Sequence, residues 1–163
     1  MDGIKETITA EQAFALIMKG EQLCNRIITG TLSFEDIEVN MPVVLENCEI
    51  EHLKAGSVQF NKVVRFTKCH FQKCNFPFCY FPGGLEIVSC LFDSNLDFQC
   101  GGHTMSENTF RMSDSVIKGF VNFFDCFYEG PVVITNNKFE EGTNLLGNQN
   151  QAYSVSFHNT VII

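Results

Sequence analysis

Phenylalanine recurs at every fifth position through Phe66, Phe71, Phe76 and Phe81, and a cysteine stands two residues before each of the last three (Cys69, Cys74, Cys79). A step of five fits neither a 3.6-residue helix nor a flat alternating strand sustained over this length. It fits a chain that turns a corner every five residues. Each short side then points two residues inward, the central Phe and the residue two before it, because strand side chains alternate.

The register extends both ways with single-residue insertions. Backwards the centres are Leu45, Ile50, Ala55 and Phe60, with partners Val43, Cys48, Leu53 and Val58. Forwards they are Ile87 and Phe92, with Leu85 and Cys90. Every inward place from Val43 to Phe92 is apolar, and the charged residues Glu46, Glu49, Glu51, Lys54, Lys62, Arg65, Lys68, Lys73 and Glu86 all fall between them. Cys48, Cys69 and Cys90 are 21 residues apart, as are Leu45, Phe66 and Ile87. A period near 20 predicts a solenoid whose turns bury their faces on one another. Four short sides per turn make a square coil. From Ile27 to Ile162 that is about six turns at ~4.8 Å each, a rod roughly 30 Å long.

Outside this stretch the pattern is looser. Leu32/Phe34 and Ile37/Val39 precede it; Met105/Phe110, Phe123/Tyr128, Ile134/Phe139 and Phe157/Ile162 keep the five-residue step. Asn108 and Asn137 take the inward partner place, where a buried amide must find hydrogen bonds and can find them along the rod. Loops are expected at Gln99–Thr104, Arg111–Gly119 and Glu141–Gln151. Before the coil, Thr9-Ala10-Glu11-Gln12 reads as a capping box. Ala13, Phe14, Ile17 and Met18 follow at helical spacing and Gly20 suits a C-terminal stop, so a helix over 10–19 is expected as a lid on the first turn.

Cys69-His70-Phe71, Cys74-Asn75-Phe76 and Cys79-Tyr80-Phe81, with Cys48-Glu49-Ile50 and Cys90-Leu91-Phe92, resemble the pentapeptide-repeat family over roughly Ile27–Phe139. The chain departs from the family's common A-[DN]-L-x-x form: Cys and Val replace Ala, and only Asn75 fits the place before the centre. The resemblance implies a right-handed quadrilateral parallel β-helix. It also implies that acidic rods of this family can mimic DNA and bind bacterial type II topoisomerases; the Cys-x-Phe steps are similar to those of the quinolone-resistance group. The fold expected is therefore all-β, one domain, with a helical cap over 1–26 and the β-helix over 27–163.

Composition bears on partners. The 163 residues carry net charge −8, which argues against gripping nucleic-acid phosphates. The acids cluster over 35–51 and the bases over 62–73, so the rod is not uniformly acidic. No apolar run approaches membrane-spanning length, and Met1–Glu6 lacks the basic-then-apolar order of a signal peptide. Eight cysteines without such a signal suggest free thiols in a reducing, cytoplasmic setting. Stacked Cys48, Cys69 and Cys90 would lie within bridging range, but that compartment argues against disulfides.

Candidate chemistry is thin. Cys69, Cys74, Cys79 and His70 have permissible zinc spacing, yet steps of five put the thiols on successive inner sides, where Cys packs as a small hydrophobe. His52, His70, His103 and His158 stand apart, and His103 in its Gly-rich loop is the least unlikely to act catalytically. His70 lies 21 after Glu49, and Glu86 21 after Arg65, so both pairs should meet on the outer face. No nucleophile elbow, zincin, phosphate-binding or dinucleotide motif is present. A β-helix carbohydrate-active enzyme would need clustered acids; Asp93, Asp97 and Glu107 are candidates, and Val132–Phe139 could pass for a turn of one. A hexapeptide acyltransferase is contradicted by the Phe ladder. No catalytic, cofactor-binding or metal-ligating residue is assigned, and no cofactor. The expectation is a non-enzymatic module that binds a protein through its outer faces, with the topoisomerase-binding mimic and then the enzyme as alternatives. Val155, Phe157, Val161, Ile162 and Ile163 close the chain without an obvious cap, which points to end-to-end homodimerisation.

Overall fold

The computed structural model describes residues 4–146, 155–157 and 159–163, the side chains of 156 and 157 excepted. It is a parallel β-solenoid of about six turns, with a single helix among the described residues. Leu45, Phe66, Ile87, Met112 and Ile134 stand in register, so successive turns take 21, 21, 25 and 22 residues.

One side of the coil stacks Leu23–Cys24, Val43–Glu46, Val64–Thr67, Leu85–Val88, Phe110–Ser113, Val132–Thr135 and Val161–Ile162. The next two sides begin as continuous strands, Arg26–Glu35, Glu49–Gly56 and His70–Asn75. Higher up they divide into separate short strands, such as Leu91–Phe92 and Leu96–Asp97. The fourth side starts with Glu38–Val39 on Gln59–Phe60. Single bridges at Tyr80 and Gly102 carry it to Phe127–Tyr128 and Ser156–Phe157.

All twenty inward places read from Val43 to Phe92 are buried, none more than 3% exposed. Large rings fill the tube by stacking on their own column. Phe71 lies 4.8 Å from Phe92 with planes 6° apart, and Phe60 meets Phe81 in the same way at 5.4 Å. Phe76, Phe98 and Phe123 form a third column at 5.6 and 5.3 Å. Parallel rings one rung apart are offset by the strand spacing, which suits aromatic pairing.

Two corners of each turn are made by a residue with positive φ. Asn25, Asn47, Lys68, Ser89, Asp114 and Asn136 form one such column, and Asp36, Ser57, Phe78, Cys100 and Asp125 the other. This left-handed conformation reverses the chain, and Asn and Asp tolerate it best because their short side chains bond locally. The residue after the first of these corners is the inward Cys48, Cys69, Cys90, Ser115 or Asn137.

Thr9 caps the helix Ala10–Met18. Its hydroxyl accepts from the Gln12 backbone N–H, and the Gln12 side chain accepts from the Thr9 N–H. Gly20 follows at φ 82°. Ala10, Ala13 and Ile17 are buried, and the Phe14 ring lies 5.3 Å from Phe34, so the helix seals the first turn.

Three expectations are corrected. Arg111–Gly119 is not a loop: Phe110–Ser113 and Val116–Ile117 are strands with Met112 and Ile117 inside. The four extra residues of the long turn are spent earlier, and they push Met105 out to half exposure instead of inward. That excursion closes against Gly130, where a Cβ would fall 1.9 Å from the Asn108 carbonyl oxygen. In the last rung Val161 pairs with Val132 and is half-buried, whereas Ile162 pairs with the outward Val133 and faces out. Gln99–Thr104 does form turns, with Gly102 keeping one bridge. Of Glu141–Gln151, residues 147–151 lie outside the described set, as do the Phe157 side chain and His158; Thr143 bridges to Val121.

Candidate functional site

The interior offers chemistry no opening. Cys69, Cys74 and Cys79 point into the packed core from successive sides, as the spacing predicts. All eight thiols are free. Among the described residues no group of three His, Cys, Asp or Glu is placed to hold a metal ion.

The column after the first corner does a structural task. Cys69 N–H donates to Cys90 Sγ at 3.4 Å, Cys90 N–H to Ser115 Oγ at 3.0 Å, and Ser115 N–H to Asn137 Oδ1 at 3.0 Å. In return Cys69, Cys90 and Asn137 donate to the carbonyls of Leu45, Phe66 and Met112 one turn below. Each of these side chains thus satisfies a backbone N–H at the corner, or adds a bond to a carbonyl of the strand below. Asn108 likewise donates to the Pro82 carbonyl at 2.7 Å. The inward amides do bond along the rod.

Outside, Arg65 and Glu86 meet in a two-pronged pair at 2.7 and 3.2 Å, as their spacing predicts. His70 does sit in register above Glu49, but the two do not pair. Glu49 takes Lys5 at 2.9 Å, and His70 reaches the other way to Asp93 at 2.6 Å. Lys118 also binds Asp93, at 2.6 Å, and with His70 holds its carboxyl below the usual range. Asp93, Lys73, His52 and Lys118 border an open groove of about 500 Å³.

The three acids weighed for glycoside chemistry have separate occupations. Asp93 is held by His70 and Lys118, Asp97 accepts from the Gln99 N–H and the Asn122 amide, and Glu107 accepts from the Ser106 hydroxyl.

The fourth side carries the feature that periodicity did not show. Tyr80, His103 and half-buried Phe127 form an outer ring stack of tilted neighbours, with centroids 4.3 and 5.3 Å apart and planes 51° and 39° apart. Burial among these rings lowers the His103 pKa, while Glu129 opposes the shift. Met105 and Phe78 are each about half exposed nearby in the sequence. Beneath Tyr80 a second groove of about 550 Å³ runs from Asp36 and Glu38, past Ser57 and Gln59, to Phe78 and Tyr80. No helix among the described residues is long and apolar enough to cross a membrane. Compared with known proteins, the chain matches no family model, no curated protein sequence and no solved structure.

Proposed function

We propose that this chain is a non-enzymatic interaction module of the pentapeptide-repeat type, acting in a reducing cytoplasmic setting and binding a protein partner through its outer faces. The observation that carries the reading is the ring stack of Tyr80, His103 and Phe127 on the outside of a rod whose inside is full. A solid core leaves only the surface for recognition, and clustered exposed rings favour protein contact over bare solvent.

The outward columns support this reading over DNA mimicry. Arg65, Glu86 and Arg111 alternate in sign up one side, and six Lys or Arg ion pairs among the described residues bring acids and bases together. A phosphate-like stripe would need unbroken acids. Ile162 and Ile163, exposed in the last described rung, support end-to-end homodimerisation.

The test is partner capture by the intact chain, compared with a Tyr80→Ser/Met105→Ser variant and with an Arg65→Gln/Glu86→Gln variant. The first variant should lose roughly ten-fold in capture and the second little. Capture indifferent to both faces overturns the reading. Inhibition of topoisomerase supercoiling by micromolar protein would restore the mimic in its place.

A further inference from the structure

We propose that the groove between Asp36/Glu38 and Phe78/Tyr80 is a seat for arginine side chains of a basic partner segment. The proposal deepens the outer-face reading and rests on it.

The groove crosses three rungs. Glu38, Gln59 and Tyr80 are stacked in register on the fourth side, and Asp36, Ser57 and Phe78 are the matching corner residues. The lowest rung therefore presents two carboxylates and the highest two rings, about 10 Å away at two steps of ~4.8 Å. Between them lies a short serine. The Gln59 amide, which borders the groove, is held by a 2.7 Å hydrogen bond to Asn61. Among the described residues no basic group pairs with Asp36 or Glu38, although Glu35 next to them has Lys54 at 2.6 Å. The cavity, about 550 Å³, lies within the range of about 300–1,000 Å³ found for ligand sites.

Phe78 is the second line of evidence. It holds φ 57°, in a column otherwise made of Asp, Ser and Cys, and half of its surface is exposed. A large ring gains little burial there and tolerates that backbone badly. A role facing outward accounts for its presence. Guanidinium matches both ends of the groove: it forks onto carboxylates and lies flat on aromatic faces. An ammonium meets the carboxylates as a point charge, and an anion meets two carboxylates.

The experiment is fluorescence anisotropy with a labelled glycine peptide bearing two arginines, and with the same peptide bearing citrulline, the neutral isostere. The arginine peptide should bind and the citrulline peptide should not. Asp36→Asn/Glu38→Gln should weaken binding roughly ten-fold, as should Tyr80→Leu, which keeps apolar bulk without a π-face. A control pair on another side, Glu140→Gln/Glu141→Gln, should leave it unchanged and so separates this groove from diffuse attraction to an acidic protein. Equal binding of the citrulline peptide, or equal losses in the two acid pairs, overturns the proposal. If the arginine peptide fails while partner capture still depends on Tyr80, the groove assignment falls and the interaction module stands.

Discussion

Cys74, Cys79 and Cys126 show what the core does to a single side chain. Burial disfavours the thiolate, pushing Cys79 and Cys126 up to about 12 and Cys74 well above its ordinary value. Unfolded thiols lose their protons near pH 8.5. The native chain then binds more protons than the unfolded chain across the window from about pH 8.5 to 12. Stability is full below that window and falls as pH rises through it. Thermal melts between pH 7 and 10.5 should show a steady alkaline decline, flattened in Cys79→Ala/Cys126→Ala; a flat wild-type curve refutes this. A disulfide reagent at pH 8 should label Cys24 and Cys100, the two half-exposed thiols, and reach all eight only after denaturation. Phe78 is the opposite case, a residue the fold would do better without. Phe78→Asn relieves about 1–2 kcal/mol of left-handed strain. It should raise Tm by roughly 2–8 °C while impairing arginine binding; a lower Tm would show that the ring supports the fold.

At the scale of the element, the corner ladder is the part least replaceable by apolar packing. Asn137→Leu strands the Ser115 N–H and removes a second bond to the Met112 carbonyl, and should cost about 2 kcal/mol in urea unfolding. Thr9→Ala, which removes only a helix cap, should cost about 1 kcal/mol. A smaller loss for Asn137→Leu than for Thr9→Ala would mean that the ladder is dispensable. The same ladder explains where sequence reading ran out. From Val43 to Phe92 every inward place is apolar, so register could be followed by hydropathy alone. At Ser115 the column turns polar just after a turn lengthened by four residues. The strands flanking it, with Arg111, Asp114 and Lys118, then looked like a loop. His70 shows a similar limit: its rung was legible, but its partner was not. Lys5, from outside the repeat, takes Glu49 first. The outer ring stack escaped notice because Tyr80, His103 and Phe127 are spaced by 23 and 24 residues, out of step with the 21-residue repeat.

Over the whole molecule, the strands pair each turn with its immediate neighbours, so the two ends differ in kind from the middle. The helix Ala10–Met18 covers one end. Among the described residues, the last rung, Val161–Ile162, pairs with Val132–Val133 on one edge. Light scattering should therefore give twice the chain mass for the intact protein. Ile162→Glu/Ile163→Glu, or a chain cut after Gln151, should give the monomer mass. A monomeric intact chain sinks the dimer.

The regular rise of the coil sets a vernier for anything lying lengthwise on it. A polyproline II segment advances ~3.1 Å per residue and turns once in three residues, while the coil rises ~4.8 Å per turn, so one turn of the segment nearly matches two turns of the coil. Such a segment running up the fourth side would present each third side chain to the rod, and the intervening ones would point elsewhere. Recognition along this rod would thus follow a triplet rhythm in the bound sequence, a periodicity imposed by backbone geometry before any side chain is chosen.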